Sequence, residues 1–197
     1  MKKSILLSPL VALMGVGCFL LSSCCVAELR FDPPTFAVGK HYSSPGVVYN
    51  NGKGLSVNIG DLTSTSGSTY FGFGEIINSP PHPFGNGQMI RLGATTLNFD
   101  LTQGTRHVKF EYLDQGGTIN LKPGGGVNLY IGNMWAMPPS NVINGITVTK
   151  SNVIDFFNPV GVKIAEKGTI DLSYSSDIGS MTVGGSEMFL DNFCLNH

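Results

Sequence analysis

Alternation of apolar and polar residues is the feature that most constrains how this chain can fold. In TTLNFDL (95–101) and in HVKFEYL (107–113), every second side chain is apolar. VNLYI, GITVTK, VGVKIA, GTIDLSY and SMTVGG repeat the pattern further along. A period of two is typical of strands with one buried face. Antiparallel sheets packed face to face need that pattern, so the sequence predicts an all-β body.

The segments between these strands carry turn chemistry. YNNGKG, PFGNG, DQGG, KPGGG and SSDIGS are rich in Gly, Asn and Asp. Strands repeated about every 8–12 residues between such turns favour a sandwich or a barrel. We find no segment of helical period and length, no internal repeat and no linker, and the Pro-rich segment 78–88 predicts a rigid loop. We therefore expect residues 28–197 to form a single β-sandwich domain.

The first 23 residues have the composition of a secretory signal peptide. Lys2 and Lys3 precede an almost wholly apolar run, residues 5–21, and small residues follow it. The alternative is a transmembrane helix. Such a helix needs about 20 apolar residues, and Pro9 interrupts this run. We therefore interpret residues 1–23 as a signal peptide.

The end of this segment resembles a bacterial lipobox. The matching residues are Leu21-Ser22-Ser23-Cys24. The resemblance implies cleavage before Cys24, acylation of that cysteine, and a lipoprotein of the cell envelope, in the periplasm or at the surface. Several acyl chains on one cysteine would anchor the chain far more firmly than a single one. The alternative is cleavage after Ala27, which would give a secreted chain without an anchor, and we favour the lipoprotein interpretation.

The charge composition argues against nucleic acid as a partner. Charged residues make up 13% of the chain, against about a quarter in typical domains. Without Lys2 and Lys3, 10 basic residues face 13 acidic ones, a net charge of −3. No basic cluster remains outside the signal peptide, and nucleic-acid binding needs one. The composition leaves the oligomeric state open.

Of the four cysteines, two remain for the exported body if Cys24 is acylated and Cys18 is removed with the signal peptide. Cys25 and Cys194 would then meet an oxidising compartment. A disulfide between them would tie the two chain ends together and stabilise the fold by about 5 kcal/mol in the chain-entropy model. The alternative is that Cys25 is flexible or removed and Cys194 is a buried free thiol. The spacing leaves both open.

The closing segment SEMFLDNFCLNH breaks the alternation. Leu190 and Phe193 are separated by Asp191-Asn192, and this insertion predicts a β-bulge. A carboxylate in an otherwise apolar strand is costly unless it is paired or bound to a cation. Asp191 therefore needs a partner.

FLDNFCL, together with the early RFD, resembles the terminal strands of jelly-roll sandwiches of the carbohydrate-binding-module and galactose-binding-like kind. The resemblance implies a two-sheet antiparallel jelly-roll-like sandwich with its first and last strands side by side. It also implies a structural Ca²⁺ bound by Asp191 together with Asp32 or Glu28. Asn192 stands where the family has a second aspartate, which weakens the metal site. The alternative is that Asp191 caps the bulge by accepting backbone N–H groups.

Other chemistries lack a signature. The four histidines are scattered, without the spacing of a zinc site. There is no GxSxG segment, no nucleophilic cysteine motif and no phosphate-binding loop. Carboxylates such as Glu75 and Glu111 are available for glycosidase chemistry, but any sandwich offers such residues. Hydrolysis is therefore the third choice of function.

A candidate sugar-binding face gathers around the single tryptophan. Sugar sites need aromatic platforms beside amide or carboxylate groups. The candidate residues are Trp135, Tyr112, Asp114, Gln115 and Tyr130. The alternative is that Trp135 plugs one end of the sandwich with Met134 and Met137. The leading hypothesis is an exported, lipid-anchored, non-catalytic module that binds carbohydrate, and the runner-up is a structural or adhesive surface protein that acts through protein–protein contacts.

Overall fold

A computed structural model of the chain describes residues 25–78 and 87–197. The signal peptide and the acylation predicted at Cys24 lie outside the described residues, as does most of the Pro-rich loop. In the described ranges the chain forms strands, turns and one short 3₁₀ helix, Met134–Ala136, and it contains no α-helix.

Sixteen strands form two antiparallel sheets. In chain order they are β1 (Ala27–Leu29), β2 (His41–Tyr42), β3 (Gly46–Asn50), β4 (Ser56–Thr63), β5 (Thr69–Tyr70), β6 (Phe73–Asn78), β7 (Gln88–Gly93), β8 (Thr95–Asp100), β9 (His107–Asp114), β10 (Ile119–Pro123), β11 (Tyr130–Gly132), β12 (Ser140–Ile143), β13 (Ile146–Phe157), β14 (Lys163–Ser173), β15 (Ser180–Gly185) and β16 (Met188–Asn196). The first sheet has the order β12-β13-β14-β9-β16-β7-β6-β2, with β1 paired to β16. The second has the order β11-β10-β15-β8-β4-β3, with β5 paired to β4. The predicted two-sheet antiparallel sandwich is confirmed.

The core lies between the sheets and consists of the alternating residues. Phe193 of the first sheet is fully buried, and its ring centroid lies 4.7 Å from that of Phe99 in the second sheet and 5.0 Å from that of Phe110 beside it. Phe31 packs edge-on against the same ring. Burial of aromatic side chains of this size is a main source of stability in a small sandwich. The period of two in the sequence therefore corresponds to one packed face on each sheet.

The two chain ends lie side by side. β1 pairs with the last strand, with Ala27 opposite Leu195. Cys25 and Cys194 form a disulfide across this pair, and their Cα atoms are 5.2 Å apart. The sequence left open whether these cysteines form a disulfide, and the structure contains one.

The predicted bulge interrupts the last strand. The pairing of β16 with β9 shifts between Asp191 and Cys194, and Asn192 adopts a left-handed conformation with φ of 54°. Asparagine tolerates this region better than most residues. The bulge lets β16 pair with β7 before it and with β1 after it.

A two-stranded hairpin projects from one end of the first sheet. Along β13, Thr149 is the last residue that pairs with the neighbouring strand β12. Along β14, which follows the hairpin turn, pairing with β9 begins at Glu166. Beyond these rows, within the described residues, β13 and β14 pair only with each other. We call residues 151–165 the arm; residues 151–154 form the edge of the sheet beside the part of β14 that pairs with β9, and the hairpin is two-stranded from Asp155 onward. The row that joins Met188, Asp114 and Glu166 is at its base, whereas the Cys25 disulfide lies at the other end of the same strands.

The tip of the arm has a fixed turn. The side-chain oxygen of Asn158 accepts the backbone N–H groups of Val160 (3.1 Å) and Val162 (2.9 Å). Gly161 has φ of 79°, a region that disfavours side chains with a Cβ. Asparagine and glycine at these positions are a common means of closing a hairpin. The tip therefore presents its valines in a defined conformation.

Candidate functional site

A cluster of charged and polar side chains lies at the base of the arm. β9, β13 and β14 position it, because Asp114 is opposite Glu166 and Glu166 is opposite Asp155 in neighbouring strands. Residues opposite one another in adjacent strands share a face of the sheet. We call this set the root cluster; its members are Tyr112, Asp114, Lys150, Asp155, Lys163 and Glu166.

Glu166 is the centre of the root cluster. It is 2% exposed, and three groups contact its carboxylate. The Tyr112 hydroxyl donates to Oε1 at 2.6 Å, Lys150 Nζ donates to Oε1 at 3.2 Å, and Lys163 Nζ donates to Oε2 at 2.7 Å. Burying a carboxylate is tolerated when its charge is paired and its oxygens are hydrogen-bonded. One side chain thus joins β9, β13 and the arm.

Gly168 makes room for the tyrosine of this cluster. It lies opposite Tyr112 in the neighbouring strand, and a Cβ there would lie 2.8 Å from the tyrosine oxygen. The missing side chain lets the hydroxyl reach Glu166. Burial, and then the hydrogen bond to Glu166, raises the pKa of Tyr112 well above its ordinary value. The hydroxyl therefore remains a donor over the whole useful pH range.

Lys163 connects the arm to the tryptophan loop. Its ammonium group pairs with Asp155 as well as Glu166 and lies 5.0 Å above the centre of the Trp135 ring. A cation over an indole face is attracted to the ring. The 3₁₀ helix holds Trp135, because the side chain of Asn133 accepts the tryptophan backbone N–H at 2.8 Å. The arm is therefore fixed to the sandwich at two points.

Asp114 is the most deeply buried carboxylate of the root cluster. It is fully buried; Oδ1 accepts the N–H of Gly116 at 3.0 Å, and Oδ2 has no hydrogen-bond partner. Burial raises the pKa of Asp114 to about 7, the Gly116 N–H opposes the rise, and the charge of Glu166 adds to it. When Asp114 is neutral, two lysines balance the two remaining carboxylates of the cluster. Ionisation of Asp114 leaves one buried negative charge in excess.

The predicted sugar-binding residues divide between the interior and the surface. Tyr112 and Asp114 are fully buried and belong to the root cluster, so they do not line an open face. Gln115, Tyr130 and Trp135 are half-buried. The Tyr130 hydroxyl donates to the carbonyl of Asn133. Met134 and Met137 are buried in the core, Trp135 packs against that core, and Lys163 lies over its ring, which agrees with the end-plug interpretation. Sugar binding stays a prediction.

The predicted metal residues have other partners. Glu28 is paired with Arg30 at 2.7 Å, and Asp32 Oδ1 accepts the N–H of Gln88 at 3.0 Å. Asp191 is buried at the bulge. Burial raises the pKa of Asp191 to about 6, and the backbone N–H groups of Asn192 and Phe31 oppose the rise. That arrangement is the one expected of a bulge cap.

Calcium itself stays a prediction. Oδ1 of Asp191 is buried without a hydrogen-bond partner. In residues 25–78 and 87–197, His, Cys, Asp and Glu form no group of three or more that could hold a metal ion.

The arm carries a concentration of exposed apolar side chains that the sequence interpretation missed. Six of them are between 38% and 81% exposed: Val153, Ile154, Phe157, Val160, Val162 and Ile164. The signal in the sequence is the pair VIDFF and VGVKIA on either side of one turn, where apolar residues outnumber the polar residues that a solvated hairpin needs. Contiguous exposed apolar surface marks interaction sites.

A groove with a mixed polar and apolar lining lies at the opposite end of the first sheet, beside the disulfide. Its volume is about 450 Å³, and it is lined by Val26, His107, Lys109, Asp171, Cys194, Asn196 and His197. The charges in it have mixed sign, and no aromatic platform faces it apart from the histidine rings. The groove therefore does not indicate one ligand class.

Among the residues that the structure describes, none belongs to a helix of the length and apolarity needed to cross a membrane. Comparisons with protein-family models, with curated proteins and with solved structures find no match to this chain.

Proposed function

We propose that this chain is an exported, lipid-anchored interaction module that docks other protein chains through its arm. The observation that carries the proposal is a fixed hairpin with six exposed apolar side chains at the end of the sandwich away from the N-terminus. Protein surfaces rarely expose apolar residues in this concentration without a partner.

The anchored end and the arm lie at opposite ends of the body. Val108 of β9 is opposite Leu195 of β16, which is in turn opposite Ala27 of β1. Asp114, at the base of the arm, lies six residues further along β9. The arm adds about four more residues, which places its tip about 30 Å from the first strand. An acyl group on Cys24 would be one residue from the disulfide-bonded Cys25. The anchor would therefore hold the body directly at a membrane with the arm directed away from it.

The root cluster supports a docking role more than a catalytic one. Asp114 and Glu166 are both buried, and Glu166 is already contacted by three donors. A hydrolytic pair of carboxylates must reach a substrate and exchange protons with it. A buried ionic network seldom adds stability over apolar packing, but it can select one arrangement of its elements. Here the selected arrangement is the orientation of the arm.

Retention of beads on cell envelopes tests the proposal. Beads that carry the chain from Cys25 onward, coupled through its N-terminus, are mixed with cell envelopes of the source organism. The fraction of beads retained on the envelopes is then measured. We expect the double variant Phe157→Ser, Val160→Ser to lose retention, whereas Val127→Ser, which changes an equally exposed valine outside the arm, keeps it. Equal retention of the arm variant and the unaltered chain would overturn the proposal. A glycan array probed with the same variants tests sugar binding. A signal that the arm variant retains would identify sugar binding at a site outside the arm.

A further inference from the structure

We propose that the folded chain joins the side chains of Lys150 and Glu166 by an amide bond, with loss of one water. The bond links β13 to β14 at the base of the arm, where the two side chains already form a buried ion pair. The inference concerns this covalent bond and does not depend on what the arm binds.

The two reacting groups are in contact and held in place. Lys150 Nζ lies 3.2 Å from Oε1 of Glu166, and the two side chains are 6% and 2% exposed. The carbonyl of Met134 accepts a second hydrogen bond from Nζ at 2.9 Å, which holds the end of the lysine beside the carboxylate. Intramolecular reactions start from reacting atoms about 3–3.5 Å apart. The carbon that the lysine must attack, Cδ of Glu166, is bonded to the oxygen that it already contacts.

Burial favours the neutral product over the ion pair. In the structure the pair is ionic, and keeping an ammonium and a carboxylate away from water is costly. The amide removes both charges, and Lys163 and Asp155 remain as a balanced pair beside it. In water an amide can be hydrolysed, but a closed site excludes the water that would attack it. The bond is therefore expected to persist once it has formed.

The step balances without a co-reactant. The bond from Nζ of Lys150 to Cδ of Glu166 forms, and the bond from Cδ to Oε1 breaks. The ammonium group carries three protons; the amide nitrogen keeps one, and the other two leave with Oε1 as water. The Tyr112 hydroxyl, 2.6 Å from Oε1, donates to the oxygen that leaves. Lys163, 2.7 Å from Oε2, stabilises the negative charge that develops on the oxygen that stays.

Asp114 supplies the proton exchange that the step needs. It is opposite Glu166 in the neighbouring strand, it is fully buried, and its Oδ2 has no hydrogen-bond partner. The lysine nitrogen must lose a proton before it can attack, and a carboxyl group that titrates near neutral pH can accept that proton and return it to the leaving oxygen. Burial raises the pKa of Asp114 to about 7, which suits this exchange.

The mass of the unaltered chain tests the inference directly. The chain from Cys25 onward is purified in folded form, its disulfide is reduced, and its intact mass is measured under denaturing conditions. We expect a mass lower than that of its sequence by one water. A mass equal to that of its sequence would overturn the cross-link.

Trypsin locates the bond. Trypsin does not cleave after an acylated lysine, and Lys122 precedes a proline. The cross-linked chain should therefore yield residues 110–163 joined to residues 164–167, whereas the open chain yields residues 110–150, 151–163 and 164–167 as separate peptides. Lys150→Met should have the full mass of its sequence, and Lys122→Met, the matched control, should still lack one water.

A loss of water that maps to other residues, or that persists in Lys150→Met, would overturn the assignment of the bond. If Lys150→Met is not folded by circular dichroism, the peptide map of the unaltered chain decides the assignment by itself.

The rate of the reaction tests the part played by Asp114. Chain recovered unfolded from inclusion bodies is refolded, and the loss of water is followed with time. Asp114→Asn should lose water about 100-fold more slowly than the unaltered chain, because an amide cannot exchange the proton. Circular dichroism checks that the two chains refold alike. Equal rates would overturn the role of Asp114 in the reaction.

Discussion

Lys163 Nζ lies 2.7 Å from Oε2 of Glu166, and this contact joins the projecting hairpin to the interior of the sandwich. Glu166 is buried, whereas the lysine is about one-fifth exposed. The lysine also contacts Asp155 and the face of Trp135, so a single ammonium group bridges the arm, the sheet and the tryptophan loop. Its removal is the most direct test of whether the root cluster orients the arm.

We expect Lys163→Met to lower the free energy of unfolding by about 2 kcal/mol. Breaking a buried ion pair costs about 3–5 kcal/mol, and here Tyr112 and Lys150 remain to compensate Glu166. Denaturant unfolding measures the change. Hydrogen exchange should show faster exchange in residues 151–165 than the global loss explains. Lys122→Met on the second sheet is the control, and equal exchange of the arm in both variants would show that Lys163 does not orient it.

The pH dependence of stability should follow Asp114. Burial raises the pKa of Asp114 to about 7 in the folded chain, whereas an unfolded aspartate ionises near 4. Because the folded state holds the proton more tightly, this residue stabilises the fold fully below about pH 4. Its contribution falls as the pH rises toward 7 and is constant above that.

Asp114→Asn isolates this effect. The amide keeps an oxygen for the N–H of Gly116 and cannot ionise. We expect unfolding free energies measured from pH 4 to pH 8 to fall less steeply for the variant. The difference in the fall should be a few kcal/mol, since one pKa unit corresponds to about 1.4 kcal/mol. Parallel pH profiles would mean that Asp114 is already ionised in the fold, with a partner for Oδ2.

The sequence predicted the sandwich because a period of two has one structural consequence. Phe110 and Tyr112 could not both face a core unless the segment were a strand, and Phe193 could not rejoin that face after Asp191 without a bulge. Turn residues then fixed the hairpins. Such local rules are readable without knowledge of distant contacts.

The root cluster was not readable in the same way. Asp114 and Glu166 are 52 positions apart in the chain and meet because β9 and β14 are neighbours in a particular register. Alternation predicts which residues share a face, but it does not predict which strands are adjacent. The end of β9, which carries Tyr112 and Asp114, was predicted to line an open sugar-binding face. The tryptophan loop and the arm bury that end instead.

Removing the disulfide should destabilise the chain strongly. Cys25 and Cys194 close a loop of 169 residues, for which chain entropy gives about 5 kcal/mol. We expect the double variant Cys25→Ser, Cys194→Ser to melt well below the unaltered chain, by about 10–20 °C for a domain of this size. Mild reduction of the unaltered chain should reproduce the shift. A melting temperature that is the same with and without reductant would show that β1 is held by its strand pairing alone.

The mature N-terminus should begin at Cys24, because the residues that follow it are built into the fold. Cys25 is bonded to Cys194, the N–H of Val26 donates to the carbonyl of Leu195 at 2.9 Å, and Ala27 opens β1. Cleavage after Ala27 would remove all three and leave Cys194 without its partner. Intact mass spectrometry of the chain purified from membranes should therefore give a diacylglyceryl mass on Cys24 and no free thiol on Cys25. Replacing Cys24 by Ser should release the body from the membrane while leaving the disulfide formed. A mature chain that starts at Glu28 would contradict both the anchor and the disulfide, and with them the direction in which the arm is displayed.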